Sequence, residues 1–313
     1  MVQSGVKLSG ISRMRGYFNK RKTHQFLAGY LFILPAMAGF IMFMFIPTVA
    51  AFIISFFDWN IIAPPIFKGL SNYAALFRDK LFWNAIFVTL QYIVYHIPAS
   101  LILAFFMAIA MKQEVKGTGF FRTAFVVPWI TTPVIISFIW KWILDPNFGA
   151  INYFTRTVFH FNIAPLVAAD WFPMASIAII NMWIFCGYHM LVFTAGLGNI
   201  PQTLYEAATI DSANAVQQIT RITIPLMRPT IMFALITSVI GSFQIFDLVF
   251  GLYQGGPGDL TRVYYFYIYQ NAFMFYKMGY ACTMAVILFV ILVVCTLVQY
   301  LFFQRNMVTD FSS

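Results

Sequence analysis

Six stretches of this chain are apolar over twenty residues or more: Phe26–Phe57, Asn84–Met111, Phe120–Trp142, Pro173–Leu197, Thr223–Leu252 and Gly279–Phe303. A helix crosses the hydrocarbon core with about 20 such residues. The pattern therefore predicts an all-α, polytopic membrane protein with six transmembrane helices. Composition points the same way, with 61% hydrophobic and only 9% charged residues and a mean hydropathy of +0.80. A soluble domain carries about 25% charged residues, so that class is excluded. The first apolar run is much longer than a signal-peptide core and lacks a small-residue cleavage pattern, so it is expected to stay as an anchor.

The net charge of +9 is not a nucleic-acid signal, because of where the cations lie. Six of the 19 Lys and Arg (Lys7, Arg13, Arg15, Lys20, Arg21 and Lys22) crowd a tail at residues 1–25, just ahead of the first span. This is the positive-inside pattern, and such a tail also grips anionic lipid. With six spans both termini share one side, which the tail makes the cytoplasm. Lys112, Lys116, Arg122, Arg221, Arg228 and Arg305 fall on that side too. The outer segments hold Lys68, Arg78, Lys80, Lys141, Arg156, Arg262 and Lys277, so twelve cations face in and seven face out. The membrane domain then runs over residues 26–313, and a polar segment at about 198–229 is cytoplasmic.

Asp58–Phe82 and Lys141–Phe172 mix Pro, Asn, Trp and charges, which suits short ordered interfacial structure. Trp59, Trp83, Trp142 and Trp171 stand at span ends, where amphipathic rings favour the headgroups. Pro35, Pro47, Pro98, Pro128 and Pro133 lie inside spans and predict kinks. Cys186, Cys282 and Cys295 all fall in apolar spans without metal or redox spacing and read as packing residues. There is no phosphate loop of the G-x-x-x-x-G-K-[ST] type. The four histidines lie far apart without close acidic neighbours, so no catalytic or metal-binding set is expected.

Within the polar segment runs Glu206-Ala-Ala-Thr-Ile-Asp211-Ser-Ala, followed by Ile222-Thr-Ile-Pro225-Leu-Met-Arg-Pro229. Leu204 to Ala208 is helix-prone, Asp211 and Ser212 make a stop and an N-cap, and a second helix runs from about Ala213 to Thr223. The result is a knob whose Ala207 and Ala208 let a partner approach the backbone. A plain amphipathic loop on the bilayer surface would share this polarity. The segment resembles the cytoplasmic coupling loop of ABC importer permeases, matching Glu206, Ala207, Ala208, Asp211, Ala213, Ile222, Pro225 and Pro229 in register. Ser212 stands where that family usually has Gly, and a left-handed bend there would be costless only for Gly. The resemblance implies the type I importer transmembrane fold and no enzymatic activity of the chain's own. It further implies two ATP-binding subunits that hold the knob and bind ATP and Mg, a second related permease, and an extracytoplasmic solute-binding protein.

Downstream, Gly255-Gly-Pro-Gly258, then Thr261, precedes an aromatic run at Tyr264–Phe275. This is similar to the carbohydrate-uptake, maltose-transport branch, which carries a Gly-Gly-Pro turn in its last outer loop. Sugars pair apolar C–H faces with hydroxyl rims and are bound by aromatic and hydrogen-bonding side chains. The fourth and fifth spans offer such groups. Asn181 and Tyr188 are seven apart, Ser238 and Ser242 four apart, and Gln244 follows. By the resemblance, Tyr188, Ser238 and Ser242 line the substrate cavity, with Asn181 and Gln244 behind them. No Lys or Arg lies among them, which mildly favours a neutral sugar, while an acidic oligosaccharide stays open if His189, the outer Arg262 or the partner subunit holds it. His96 and His189 read as bonded helix contacts, and Asp247 as an interfacial acid. Were those three instead a proton or sodium path, the chain would be an ion-coupled secondary carrier, which predicts inverted repeats with broken midplane helices. A purely structural subunit would leave the polar faces of spans four and five unexplained.

Overall fold

A computed structural model describes residues 26, 28–112, 117–162, 164–167 and 169–308. The basic tail at 1–25 and Lys116 lie outside the described residues. Two units are distinguished, 1–54 and 55–313. In the first, α1 (Ala28–Ile54) is apolar throughout and passes through a π-helical turn at Ile41–Phe45.

The second unit opens with a short antiparallel pair, β1 (Phe57–Asp58) and β2 (Ile66–Phe67), clasped by the Lys68–Asp58 ion pair. There follow α2 (Ser71–Arg78) and α3 (Lys80–Lys112), the latter unbroken through Pro98. The expected third span is not one helix. α4 (Thr118–Ile130) and α5 (Pro133–Ile143) meet at 96°. Pro133 disfavours helical backbone at Thr132, which is extended (ψ 119), and Thr131 closes α4 by bonding back to Val127. The outer connection holds α6 (Ala150–Phe159) and α7 (Ala164–Val167), so it is ordered as anticipated.

α8 (Phe172–Gly198) leads to α9 (Gln202–Ile210) and α10 (Ala215–Gln218), a π turn at Ile219–Thr223, and α11 (Arg228–Phe243). The fifth span is also interrupted: α11 stops, Gln244–Phe246 is irregular, and α12 (Asp247–Leu252) resumes. α13 (Tyr264–Tyr269) and α14 (Met278–Val308) complete the chain. Among the described residues five helical stretches are long and apolar enough to cross a membrane, or six if the bent α4–α5 pair is one span.

α3 and α8 form the most extensive pairing and the centre of the unit. Tyr92, Ile177, Ile184, Leu248 and Phe266 are buried together there. Lipid removes most of the hydrophobic drive between helices, so close approach through small residues matters more. A Cβ on Gly187 of α8 would stand 1.9 Å from the Phe125 carbonyl of α4, and one on Gly251 of α12 would stand 1.7 Å from Ser137 Oγ of α5. The Gly255–Gly258 turn has both terminal glycines at positive φ and is closed by Thr261 Oγ1 donating to the Gly256 carbonyl at 2.7 Å. Asn84 donates to the Asp259 carbonyl at 3.2 Å, tying this turn to α3.

Asp79, between α2 and α3, accepts hydrogen bonds from Tyr267 at 2.6 Å and Tyr280 at 2.7 Å. Burial alone would raise its pKa, but the two phenols and the backbone N–H groups of Leu81 and Phe82 outweigh that and hold it below the ordinary value. The phenol of Tyr267 is pushed up to about 12, by burial first and then by Asp79. A depressed carboxylate stabilises the fold above its unfolded pKa of about 3.9, and the contribution fades as pH falls through the folded value. Thermal unfolding in detergent, followed by tryptophan fluorescence from pH 6 to pH 3, is therefore expected to fall more steeply for the wild type than for Asp79→Asn. Parallel profiles would mean the tie carries no linkage.

Candidate functional site

The breaks in the third and fifth spans fall beside one cavity of about 170 Å³, lined by Pro133 at the first break and by Gln244 and Asp247 at the second. Irregular backbone at membrane depth is tolerated where it borders a cavity. The kink expected at Pro133 is thus a 96° break, and a second break follows Phe243, where no proline announces one. Thr131-Thr132-Pro133 and the polar Gln244 and Asp247 were the available signals. Asp247, read from the sequence as an acid near the outer end of its span, lines this cavity as well.

All five residues proposed from the sequence for substrate, Tyr188, Ser238, Ser242, Asn181 and Gln244, line the cavity. They are not equally free. Asn181 Nδ2 donates to Tyr92 OH and to His96 Nε2 at 3.3 Å, which leaves His96 Nδ1–H to donate to Ser242 Oγ at 3.3 Å. Ser238 donates to the Ala234 carbonyl at 2.6 Å, so it accepts from His189 Nε2 at 3.0 Å, and His189 Nδ1 pairs with Ser100 Oγ at 3.1 Å. Both ring nitrogens of both histidines are used in this way. His96 braces α3 to α8 and α11, and His189 braces α8 to α3 and α11. They are helix contacts, as read from the sequence.

Three hydrogen-bonding side chains in the lining make no hydrogen bond among the described residues: Tyr188, Gln244 and Asp247. Tyr188 stacks on Trp129 of α4, with ring centroids 4.9 Å apart and planes 26° apart. Trp129 went unnoticed in the sequence because its partner is 59 residues away and on another helix.

The knob differs from its sequence reading in one detail. α9 ends with Asp211 as C-cap, not as the cap of a second helix. The cap of α10 is Asn214, whose Oδ1 accepts from Gln217 N at 2.9 Å while Gln217 Oε1 accepts from Asn214 N at 2.8 Å. Ser212 forms the bend in the left-handed region at φ 59, so the conformation that favours Gly is kept without Gly. Glu206, Ala207, Asp211 and Ser212 are exposed, whereas Ala208, Ala213 and Pro225 are half-buried. The tip also exposes Ile210 (84%) and Val216 (68%), which the sequence reading passed over. From the foot of the knob Tyr205 OH reaches buried Thr223 Oγ1 in the π turn at 2.9 Å. Lys112, the last residue of α3, stands 4.4 Å over the Tyr205 ring.

A bundle of apolar helices with broken spans around a braced polar cavity, and with an exposed two-helix knob between two of the cavity helices, defines a membrane permease rather than an anchor. Residues 130–308, more than half of the chain, match the family described as "Binding-protein-dependent transport system inner membrane component", and the chain belongs to that family. It is 35% identical over 281 residues to the "Probable ABC transporter permease protein YesP" of Bacillus subtilis, covering 88% of this chain and 89% of that one. It is 30% identical over 304 residues to the arabinooligosaccharides transport system permease protein AraP of the same organism, covering 95% and 93%. Among solved structures, a bacterial ABC transporter involved in the import of the acidic polysaccharide alginate superposes with a TM-score of 0.77 at 23% identity, over 92% of this chain and 99% of that one. The chain is a permease subunit of an ABC importer and an inner-membrane component.

Proposed function

We propose that this permease carries a sugar or oligosaccharide inward by alternating access, driven by ATP that separate subunits hydrolyse. The observation that carries this reading is a shared pair of helices: α8 and α11 wall the cavity and also flank the knob. A partner that grips the knob at Glu206, Ala207, Ala208, Asp211, Ser212, Ala213 and Pro225 would move the cavity walls directly. Two ATP-binding subunits carrying ATP and Mg fill that role, with a second related permease completing the pore and a binding protein delivering solute outside. Tyr188 and Gln244 contact the sugar, and Asn181, Ser238 and Ser242 shape the wall behind them. Support for a saccharide comes from the arabinooligosaccharide relative and from the Trp129–Tyr188 stack, which suits a sugar's apolar face. Residues 26–313 form the permease domain, and the basic tail at 1–25 fixes both termini in the cytoplasm.

The test is uptake of labelled oligosaccharides into proteoliposomes holding the co-purified complex. Uptake is expected to need both ATP inside and the binding protein outside. Uptake that proceeds without the ATP-binding subunits and follows an imposed ion gradient would replace this reading with a secondary carrier.

A further inference from the structure

We infer that Asp247 makes the cavity selective by charge, so that it takes uncharged saccharides and refuses carboxylated or sulfonated ones. The inference rests on the saccharide reading above and narrows it. Asp247 is the one acidic side chain among the described residues that line the cavity, and no Lys or Arg stands among them. The two histidines have no ring N–H left to offer an anionic guest. Both ring nitrogens of each are engaged by neighbouring side chains, and the hydrogen bond that His96 Nε2 accepts from Asn181 keeps that ring neutral. The Asp247 carboxylate meanwhile has no hydrogen-bond or ion-pair partner among the described residues. It stands at the start of α12, just after the break that follows Phe243.

A carboxylate in such a place is acceptor-only, with room for a pair of donors. Two neighbouring hydroxyls of a neutral sugar ring supply them, and Gln244 and Tyr188 reach the remaining rim. A second carboxylate brought into the same confined space would face an uncompensated like charge, which is strongly unfavourable away from bulk water. The arrangement thus admits and rejects with one group, as a specific site must.

The discriminating experiment is saturation-transfer NMR on the purified full complex in detergent, without binding protein, so that only the transmembrane site is read. The ligands are neutral trisaccharides (malto-, cello-, xylo- and arabinotriose) and their charged counterparts trigalacturonate and trimannuronate. At least one neutral trisaccharide is expected to bind, with both uronates silent. Asp247→Asn should weaken that neutral ligand about tenfold or more, the loss expected for a charge-assisted hydrogen bond, and should let uronates bind. Asp247→Glu should keep the wild-type preference, and co-purification of the ATP-binding subunits checks that each variant assembles. Uronate binding to the wild type as strong as that of the best neutral ligand overturns the charge selection, since the complex must then supply a countercharge. Charge selection is equally overturned if Asp247→Asn leaves neutral affinity and uronate refusal unchanged. Silence from every saccharide, by a wild-type complex that hydrolyses ATP, overturns the saccharide reading and this inference with it.

Discussion

Gly187→Ala is expected to lower the thermal unfolding temperature of the assembled complex by several degrees and to cut sugar uptake sharply. The new methyl would stand 1.9 Å from the Phe125 carbonyl oxygen, a backbone atom that cannot swing aside. α4 and α8 must therefore separate by an ångström or more along their line of contact. Forcing extra volume into a packed contact costs about 1–3 kcal/mol, and there is no compensating gain here because the displaced carbonyl belongs to a helix already complete. The functional loss follows from the neighbour in sequence. Tyr188, which lines the cavity, stacks on Trp129 across the same pair of helices, so spreading them breaks the stack that holds the Tyr188 ring in place. Gly198, at the end of the same helix, has nothing within 4 Å of its would-be Cβ and is the internal control. Gly198→Ala should be neutral or slightly stabilising, since alanine is the better helix former. Equal melting temperatures for the two variants would show that α4 and α8 are not held at this distance in the working protein.

The contrast between Gly187 and Gly198 also marks where sequence reading stops. Apolar length is a local property, so the spans were legible from hydropathy windows alone. The 96° turn at Thr131–Pro133 was not, although Pro133 was noted as a kink. A proline says that a helix restarts. How far it turns depends on what the new segment packs against, here Gly251 of α12 more than a hundred residues later. The capping box at Asn214 and Gln217 was written in the sequence, but Asp211 and Ser212 are equally good cap residues and drew the boundary about two residues early, at Ala213 instead of Ala215. For the cavity, helical spacing brought the right five residues together. It could not tell which were free, because the histidines that engage Asn181, Ser238 and Ser242 come from positions 49 to 146 residues away. The cavity role of Asp247 was hidden for the same reason: its place near the end of an apolar run pointed to the interface, and only the structure adds that it lines the cavity, just after the break at Gln244–Phe246.

Glu206→Lys is expected to abolish ATP-driven uptake while leaving the permease folded, because the site of the change is exposed and the route of the force is not. Glu206 makes no ion pair among the described residues and stands on the outer face of α9, so its replacement leaves the packing of α9 untouched. Around it the exposed face carries Asp211 and the bare apolar side chains Ile210 and Val216. Single exposed apolar residues are ordinary, but two at the tip of a helical knob with acids beside them suit insertion into an apolar cleft with a basic rim. Reversing one charge at such a rim removes an attraction and adds a repulsion. Behind the face, the preceding residue Tyr205 is half-buried, bonded to Thr223 in the π turn that leads to α11 and covered by Lys112 at the end of α3. Those are the helices that carry Ser238 and Ser242, and His96 and Ser100, so displacement of the knob reaches both sides of the cavity braces. The measurement pairs co-purification of the ATP-binding subunits with uptake and with the melting temperature of the permease. Loss of the subunits and of uptake at an unchanged melting temperature is the expected result. Retention of both activities by Glu206→Lys would move the docking surface elsewhere, and loss accompanied by unfolding would make Glu206 a stabilising residue of the knob instead of a contact.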